Sequence, residues 1–287
     1  MEASIITNLL LPIALGIIML GLGLSLGVDD FLRVLRMPRA VLIGLAVQTL
    51  LLPAAAFAIA IGFGLAPELA VGLMLLAASP GGATANIYSH LARGDVALNI
   101  TLTATNSVLC LLTLPLIVNL SLAHFMAAEQ YVPPPIRKIV EVGVIILLPV
   151  LLGMLLRAWL PALAARLAKP VKLFSVLVLI LVIGAAFGRE LDRLPAYFAA
   201  VGLACLTFNL VSMGSGYLVP LALRLPRRQA IAIAMEIGIH NGTLAIYIAL
   251  NVLGSSTMSI PAAIYSLIMF ATAALFGWWV SRRRGTD

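Results

Sequence analysis

The run Ile231-Ala-Ile-Ala-Met-Glu-Ile-Gly-Ile-His-Asn-Gly-Thr-Leu-Ala-Ile-Tyr247 decides how this chain is read. It is apolar along most of its length, yet it carries an acid, Glu236, near its middle. A carboxylate at membrane depth costs about 2.5–3.5 kcal/mol on insertion scales. A bound cation, a proton, or polar partners lining a cavity must offset that cost. Gly238, His240, Asn241 and Gly242 crowd the same stretch, so the helix is loosened where polar groups gather. That combination makes a poor lipid-facing helix and fits an ion site.

Composition sets the frame for this reading. Hydrophobic residues make up 62% of the 287 and charged residues 10%, with a mean hydropathy of +1.13. A soluble domain of this length does not manage with so few charges, so an all-α integral membrane protein is expected. The apolar runs are continuous rather than alternating, which favours helices over a barrel. The net charge of +7 does not signal a nucleic-acid partner, because the basic residues sit at the ends of apolar runs. Cys110 and Cys205 fall inside such runs and form no CxxC or Cys/His pattern, so they read as small buried hydrophobes.

Nine transmembrane helices can be drawn, each near the roughly 20 residues that cross a bilayer. They cover 5–27, 40–62, 69–91, 96–123, 138–158, 172–189, 195–221, 229–252 and 260–281. Arg33, Arg36, Arg39, Arg93, Arg157, Arg166, Lys169, Lys172, Arg224, Arg227, Arg228, Arg282, Arg283 and Arg284 then fall on one side. Only Arg137, Lys138, Arg189 and Arg193 fall on the other. By the positive-inside rule the N-terminus is outside and the C-terminus cytoplasmic, in a multi-pass plasma membrane protein such as one of the bacterial inner membrane.

Two spans are interrupted at mid-length. Span 3 carries Ser79-Pro-Gly-Gly-Ala-Thr-Ala-Asn86, and span 8 carries Glu236-Ile-Gly-Ile-His-Asn-Gly242. Freed backbone groups of this kind persist only where protein or a watery cavity covers them. Each broken span is the middle of a trio, spans 2–4 and 7–9, and the two run in opposite directions. An inverted repeat is expected, with two broken helices meeting at the midplane and the binding site there.

The polar groups at that depth are few. Gln48 is in span 2, Thr84 and Asn86 in span 3, and Asn99, Thr101, Thr103, Thr105 and Asn106 in span 4. Asn209 is in span 7, and Glu236, His240 and Asn241 are in span 8. Asn99, Thr103 and Asn106 recur at helical spacing and share one face. A hard cation such as sodium needs several oxygens. Glu236 supplies charge, Asn86, Asn99, Thr103 and Gln48 supply neutral oxygens, and the opened backbone around 236–240 supplies carbonyls. For Thr101, Thr105 and Asn106 the favoured role is helix-to-helix bonding. His240 either carries a coupling proton, since imidazole titrates near 6.5, or offers a neutral ring nitrogen. Tyr88, Tyr247 and Tyr265 read as packing or interface residues.

The two interrupted motifs, together with Leu91-Ala-Arg-Gly-Asp-Val-Ala-Leu98 and Gln48 before Pro53, resemble the bile acid:sodium symporter family over almost the whole chain. The resemblance implies a core domain, helices 2–4 over 38–125 and helices 7–9 over 194–287. It also implies a panel domain, helix 1 over 1–37 and helices 5–6 over 134–190. Members with ten spans exist, and this chain is similar to one lacking the first. The resemblance implies a first sodium site at Asn86, Asn99, Thr103 and Glu236. A second is implied at Gln48, Glu236, His240 and the carbonyls of Ile237 and Ile239, so one or two Na+ are expected. The chain departs from well-studied bacterial relatives at Ala85 and Asn99, where they have serines, and at His240, where they have a glutamine. An imidazole nitrogen is a softer partner than an amide oxygen, which bears on the second site.

Sodium-coupled import of a small or amphipathic organic anion by alternating access is therefore expected, with Asn86, Asn241 and Thr84 near the substrate. The alternative is a proton-coupled carrier or exporter of a small organic acid with the same fold. No HExxH or GxSxG motif argues for an enzyme. The sequence fixes neither the substrate nor the oligomeric state.

Overall fold

The computed structural model describes residues 11–82, 84–126, 136–167 and 194–282, together with 170, 171, 173, 174 and 177. Every regular element among them is helical. Helix α1 (Leu11–Ser25) is followed by α2 (Val28–Arg36) after a bend of 61°. Then come α3 (Pro38–Gly62), α4 (Pro67–Ala78), α5 (Ala85–Leu91), α6 (Val96–Phe125) and α7 (Ile136–Trp159). The second half holds α8 (Pro195–Ala222), α9 (Arg227–Gly238), α10 (Gly242–Val252) and α11 (Thr257–Arg282).

Four of these, α3, α6, α8 and α11, are each long and apolar enough to cross a membrane, and α1 with α2 makes a fifth if the bent pair is one span. The expected spans 2, 4, 5, 7 and 9 fall on α3, α6, α7, α8 and α11. The first ends in a sharp turn at Leu26-Gly27. The sixth, expected at 172–189, lies almost wholly outside the described residues. Among the described residues the architecture is thus all-helical, with several helices fit to cross a membrane.

Spans 3 and 8 are broken as the sequence requires. Helix α4 stops at Ala78 because Pro80 has no amide hydrogen and Gly81-Gly82 hold no helix. Helix α9 stops at Gly238, and the chain is extended through Ile239 before Asn241 starts α10 by accepting from Leu244 N at 3.1 Å. The two gaps lie against each other. Gly82 N donates to Ile239 O at 2.6 Å, and Asn241 N donates to Pro80 O at 2.8 Å. Gly81 and His240 thereby form an isolated antiparallel bridge. Buried amides and carbonyls left unpaired here would cost several kcal/mol each, so the breaks satisfy one another.

The flanking corners also match. At the end of α3, Phe63 N, Gly64 N and Leu65 N donate to Ile59 O, Ile61 O and Ala60 O. At the end of α8, Leu223 N, Arg224 N and Leu225 N donate to Val219 O, Leu221 O and Pro220 O. Gly64 and Arg224 both adopt left-handed backbone, at φ of 60° and 58°.

Several helix ends that carry arginine are tied together. Arg39 donates to Leu223 O, Arg227 to Val280 O, and Asp95 N to Arg228 O. Arg157 at the end of α7 donates to Ser25 O, and buried Asp30 pairs with Arg33 and lies 3.9 Å from Arg157. These ends therefore meet at one end of the molecule, as one-sided topology demands.

Helix α1 packs along α7, and this pair is close because Gly23 and Gly153 face each other's backbone. A Cβ on Gly153 would meet Leu20 O at 2.6 Å, the small-residue contact that membrane helices use in place of a hydrophobic drive. Gly153→Val should cost about 1–3 kcal/mol through overpacking. Thermal melting of the purified protein in detergent checks this, and an unchanged midpoint would mean that the two helices have room to part.

Candidate functional site

Glu236 is 1% exposed and lies in the last turn of α9, one residue row away from the α4 break. The helix runs on to Gly238, so the carboxylate is presented by regular helix, and the opened backbone begins at Ile239, three residues later than the sequence suggested. Its neighbour across the crossing is Gly81, where any Cβ would collide with the carboxylate. That glycine is required for contact as well as for breaking the helix. Oε2 accepts from Thr103 Oγ1 at 2.6 Å, whereas Oε1 has no donor among the described residues.

Helix α6 supplies the facing side. Asn99 donates Nδ2 to Ala232 O at 2.8 Å, which fixes α6 against α9 and leaves its Oδ1 buried with no described donor. Thr103 Oγ1 also lies 3.0 Å from Asn99 O. A hydroxyl has one proton, and a bond given to the carboxylate leaves the lone pairs of Thr103 available. Asn86, in the first turn of α5, likewise has a buried Oδ1 without a described donor. Thr84 precedes it at the N-cap position without capping the helix.

A second group forms around the Ser79 carbonyl. Gln48 Nε2 donates to it at 3.1 Å, and His240 Nδ1 lies 3.2 Å away. Gln48 sits on a π-turn, Val47–Leu51, just before Pro53. A carbonyl only accepts, so Nδ1 carries the hydrogen, and in the neutral ring Nε2 is a bare lone pair. That Nε2 is buried without a described partner, as is Gln48 Oε1. Of the two backbone carbonyls expected as ligands, Ile239 O already accepts from Gly82 N. Ile237 O loses its usual helical donor, because Asn241 N turns to Pro80 O.

The described structure thus brings Glu236, Thr103 and Asn99 into one cluster and Gln48, His240 and Ser79 into the next. Asn86 and Thr84 open α5 just beyond Gly82, and Asn241 lies on the crossing itself. Four acceptor oxygens, on Gln48, Asn86, Asn99 and Glu236, are buried with no described hydrogen-bond donor. Native interiors pair nearly all such atoms. Oxygens that receive no hydrogen suit a hard cation, which oxygens hold and N–H groups repel; among these residues a direct bond to the Glu236 carboxylate is made by Thr103.

Two residues that the sequence reading named without a site role also belong here. Tyr265 is fully buried and donates to Gly238 O at 2.9 Å, so it is no interface residue. Asn209 donates to the same carbonyl at 3.0 Å. The signal available was their burial depth: each is a polar group midway along an apolar span.

The profile of the Sodium Bile acid symporter family matches residues 12–196. Over 258 residues the chain is 28% identical to a Bacillus subtilis protein named an uncharacterized sodium-dependent transporter, covering 90% of this chain and 78% of that protein. It is 28% identical over 256 residues to a probable sodium/metabolite cotransporter of the chloroplast of Arabidopsis thaliana, covering 89% of this chain and 62% of that one. Sodium/bile acid cotransporter 4 of Homo sapiens is 29% identical over 282 residues, at 94% and 62% coverage. The chain therefore spans under two thirds of the length of the last two.

A methyl group on Gly81 would displace the Glu236 carboxylate, so Gly81→Ala should lower stability by about 1–3 kcal/mol. Gly214→Ala, with nothing within 4 Å of the added atom, should not lower it. Equal melting temperatures for the two variants would show that the carboxylate swings aside freely.

Proposed function

The chain belongs to the sodium bile acid symporter family, and on that premise we propose that it is a sodium-coupled symporter importing a small organic anion by alternating access. Membership makes it a transporter with a small substrate, working in a lipid bilayer. The observation that supports sodium coupling is the buried Glu236 Oε1, which has no described donor, in a carboxylate bonded to Thr103 of α6. Relatives named as sodium-dependent or sodium/metabolite carriers point the same way.

In this reading one Na+ is held by Glu236, Asn99, Thr103 and Asn86, which belong to α9, α6 and α5. Neutralising the carboxylate removes the cost of burying it and draws three helices onto one point. A second ion would use Gln48, Glu236, His240 and the Ile237 and Ile239 carbonyls. His240 offers one nitrogen there instead of an oxygen, so that site binds more weakly. The anion sits where α10 begins. Asn241 spends its Oδ1 on Leu244 N and keeps its Nδ2 as a donor, and the N-terminal end of α10 favours negative charge. Thr84 and Asn86 line the opposite half.

The matched corners and the exchanged bonds of the crossing support an inverted repeat, with α3–α6 and α8–α11 as the two halves of a core and α1 with α7 in a panel. The arginine-bearing end is assigned to the cytoplasm. Each net positive charge carried inward through 100 mV then contributes about 2.3 kcal/mol to uptake. The bare Nε2 of His240 favours a second reading, in which a proton replaces the second ion.

Uptake of a panel of carboxylates by purified protein in liposomes, under sodium, potassium or pH gradients, tests the proposal. A sodium gradient should drive accumulation, and Glu236→Ala should abolish it with the protein still inserted. His240→Gln should keep or strengthen sodium dependence. Loss of all transport in that variant, with wild-type uptake following the pH gradient, would select the proton reading.

A further inference from the structure

The Gly238 carbonyl is the last acceptor of α9, and it has lost its helical donor, because Gly242 N turns onto His240 O at 3.0 Å. Two side chains from other helices replace that donor. Asn209 of α8 gives Nδ2 at 3.0 Å, and Tyr265 of α11 gives its hydroxyl at 2.9 Å. Asn209 Nδ2 also lies 3.0 Å from the Tyr265 oxygen, so the carbonyl, amide and phenol form a closed triangle. Both residues are fully buried. The His240 ring is held between Phe208, stacked at 5.6 Å, and Tyr265, edge-on at 5.4 Å. The other break has its own counterpart, since Gln48 Nε2 holds the Ser79 carbonyl in the same manner.

We propose, resting on the sodium-symporter reading above, that Asn209 and Tyr265 are positioning residues of the ion site. Their grip on Gly238 O sets the direction in which α9 ends. It thereby aims the Ile237 and Ile239 carbonyls and the His240 ring. Packing alone does not explain the pair. A phenylalanine would fill the space of Tyr265 without bringing a hydroxyl to membrane depth, and a polar group there is costly unless bonded. Asn209 Oδ1 has no described donor, so among the described residues the side chain acts through its donating nitrogen. The two bonds converge on one carbonyl from α8 and α11, so they also tie the end of α9 to the two helices that flank it.

Four variants and two measurements decide the matter, using the full chain in liposomes. Tyr265→Phe and Asn209→Ala should each raise the sodium concentration for half-maximal uptake about tenfold, the worth of a buried hydrogen bond. The maximal rate at saturating sodium should stay near wild type. Together the two changes should give less than the product of their separate effects, because both act on one acceptor. Asn209→Gln, which copies the residue used at the other break, should recover part of the loss. A fall in maximal rate with an unmoved half-saturation point would reduce the pair to structural supports and overturn the proposal, as would unmoved sodium curves. If wild-type uptake ignores sodium, the ion reading fails. The clamp is then judged by hydrogen–deuterium exchange in sodium-free buffer. Faster exchange at the Gly82 and Asn241 amides in Tyr265→Phe upholds it, and unchanged exchange there ends it.

Discussion

Two helices that stop inside a membrane can do so only because each completes the other. The pair of backbone bonds across Gly81 and His240, from Gly82 N to Ile239 O and from Asn241 N to Pro80 O, satisfies groups that neither lipid nor the broken helices could serve. Everything at the site follows from that contact. It brings Gly81 under the Glu236 carboxylate, sets the Ser79 carbonyl before Gln48 and His240, and leaves the ends of α4 and α9 pointing at each other.

The polar residues around the crossing divide by function. Some close the gaps that the breaks create: Gln48 and His240 on Ser79 O, Asn209 and Tyr265 on Gly238 O, and Asn241 on its own helix. Others present an oxygen that has no described donor: Oε1 of Glu236 and the Oδ1 atoms of Asn99 and Asn86. The first group gives rigidity. The second is what the proposed ion would answer, because a carboxylate away from water is stable only beside a counter-ion or a proton.

Much of this was legible in the sequence, for reasons that can be named. Pro80, the paired glycines and Gly238 break helices by elementary stereochemistry, and Glu236 is conspicuous because nothing else acidic lies at its depth. The Asn99–Thr103 face came from simple periodicity. Other features were hidden because they depend on contacts between distant segments. No local signal in α9 says that Gly238 O will be met by a tyrosine from α11. Nor does the sequence say that α9 remains helical through Glu236, since the bonds of Ile239 and Asn241 to the α4 break accompany its end. The 61° turn between α1 and α2 was read simply as the end of a span, because a bend and a stop look alike when apolar character fades.

The tight seam between α1 and α7, made by Gly23 and Gly153, has a mechanical corollary. Helices whose backbones touch cannot slide past each other without steric penalty, so this pair travels as one strut. Compliance must then reside in its joints, chiefly the elbow at Leu26-Gly27, where Asp30, Arg33 and Arg157 form an ionic gusset.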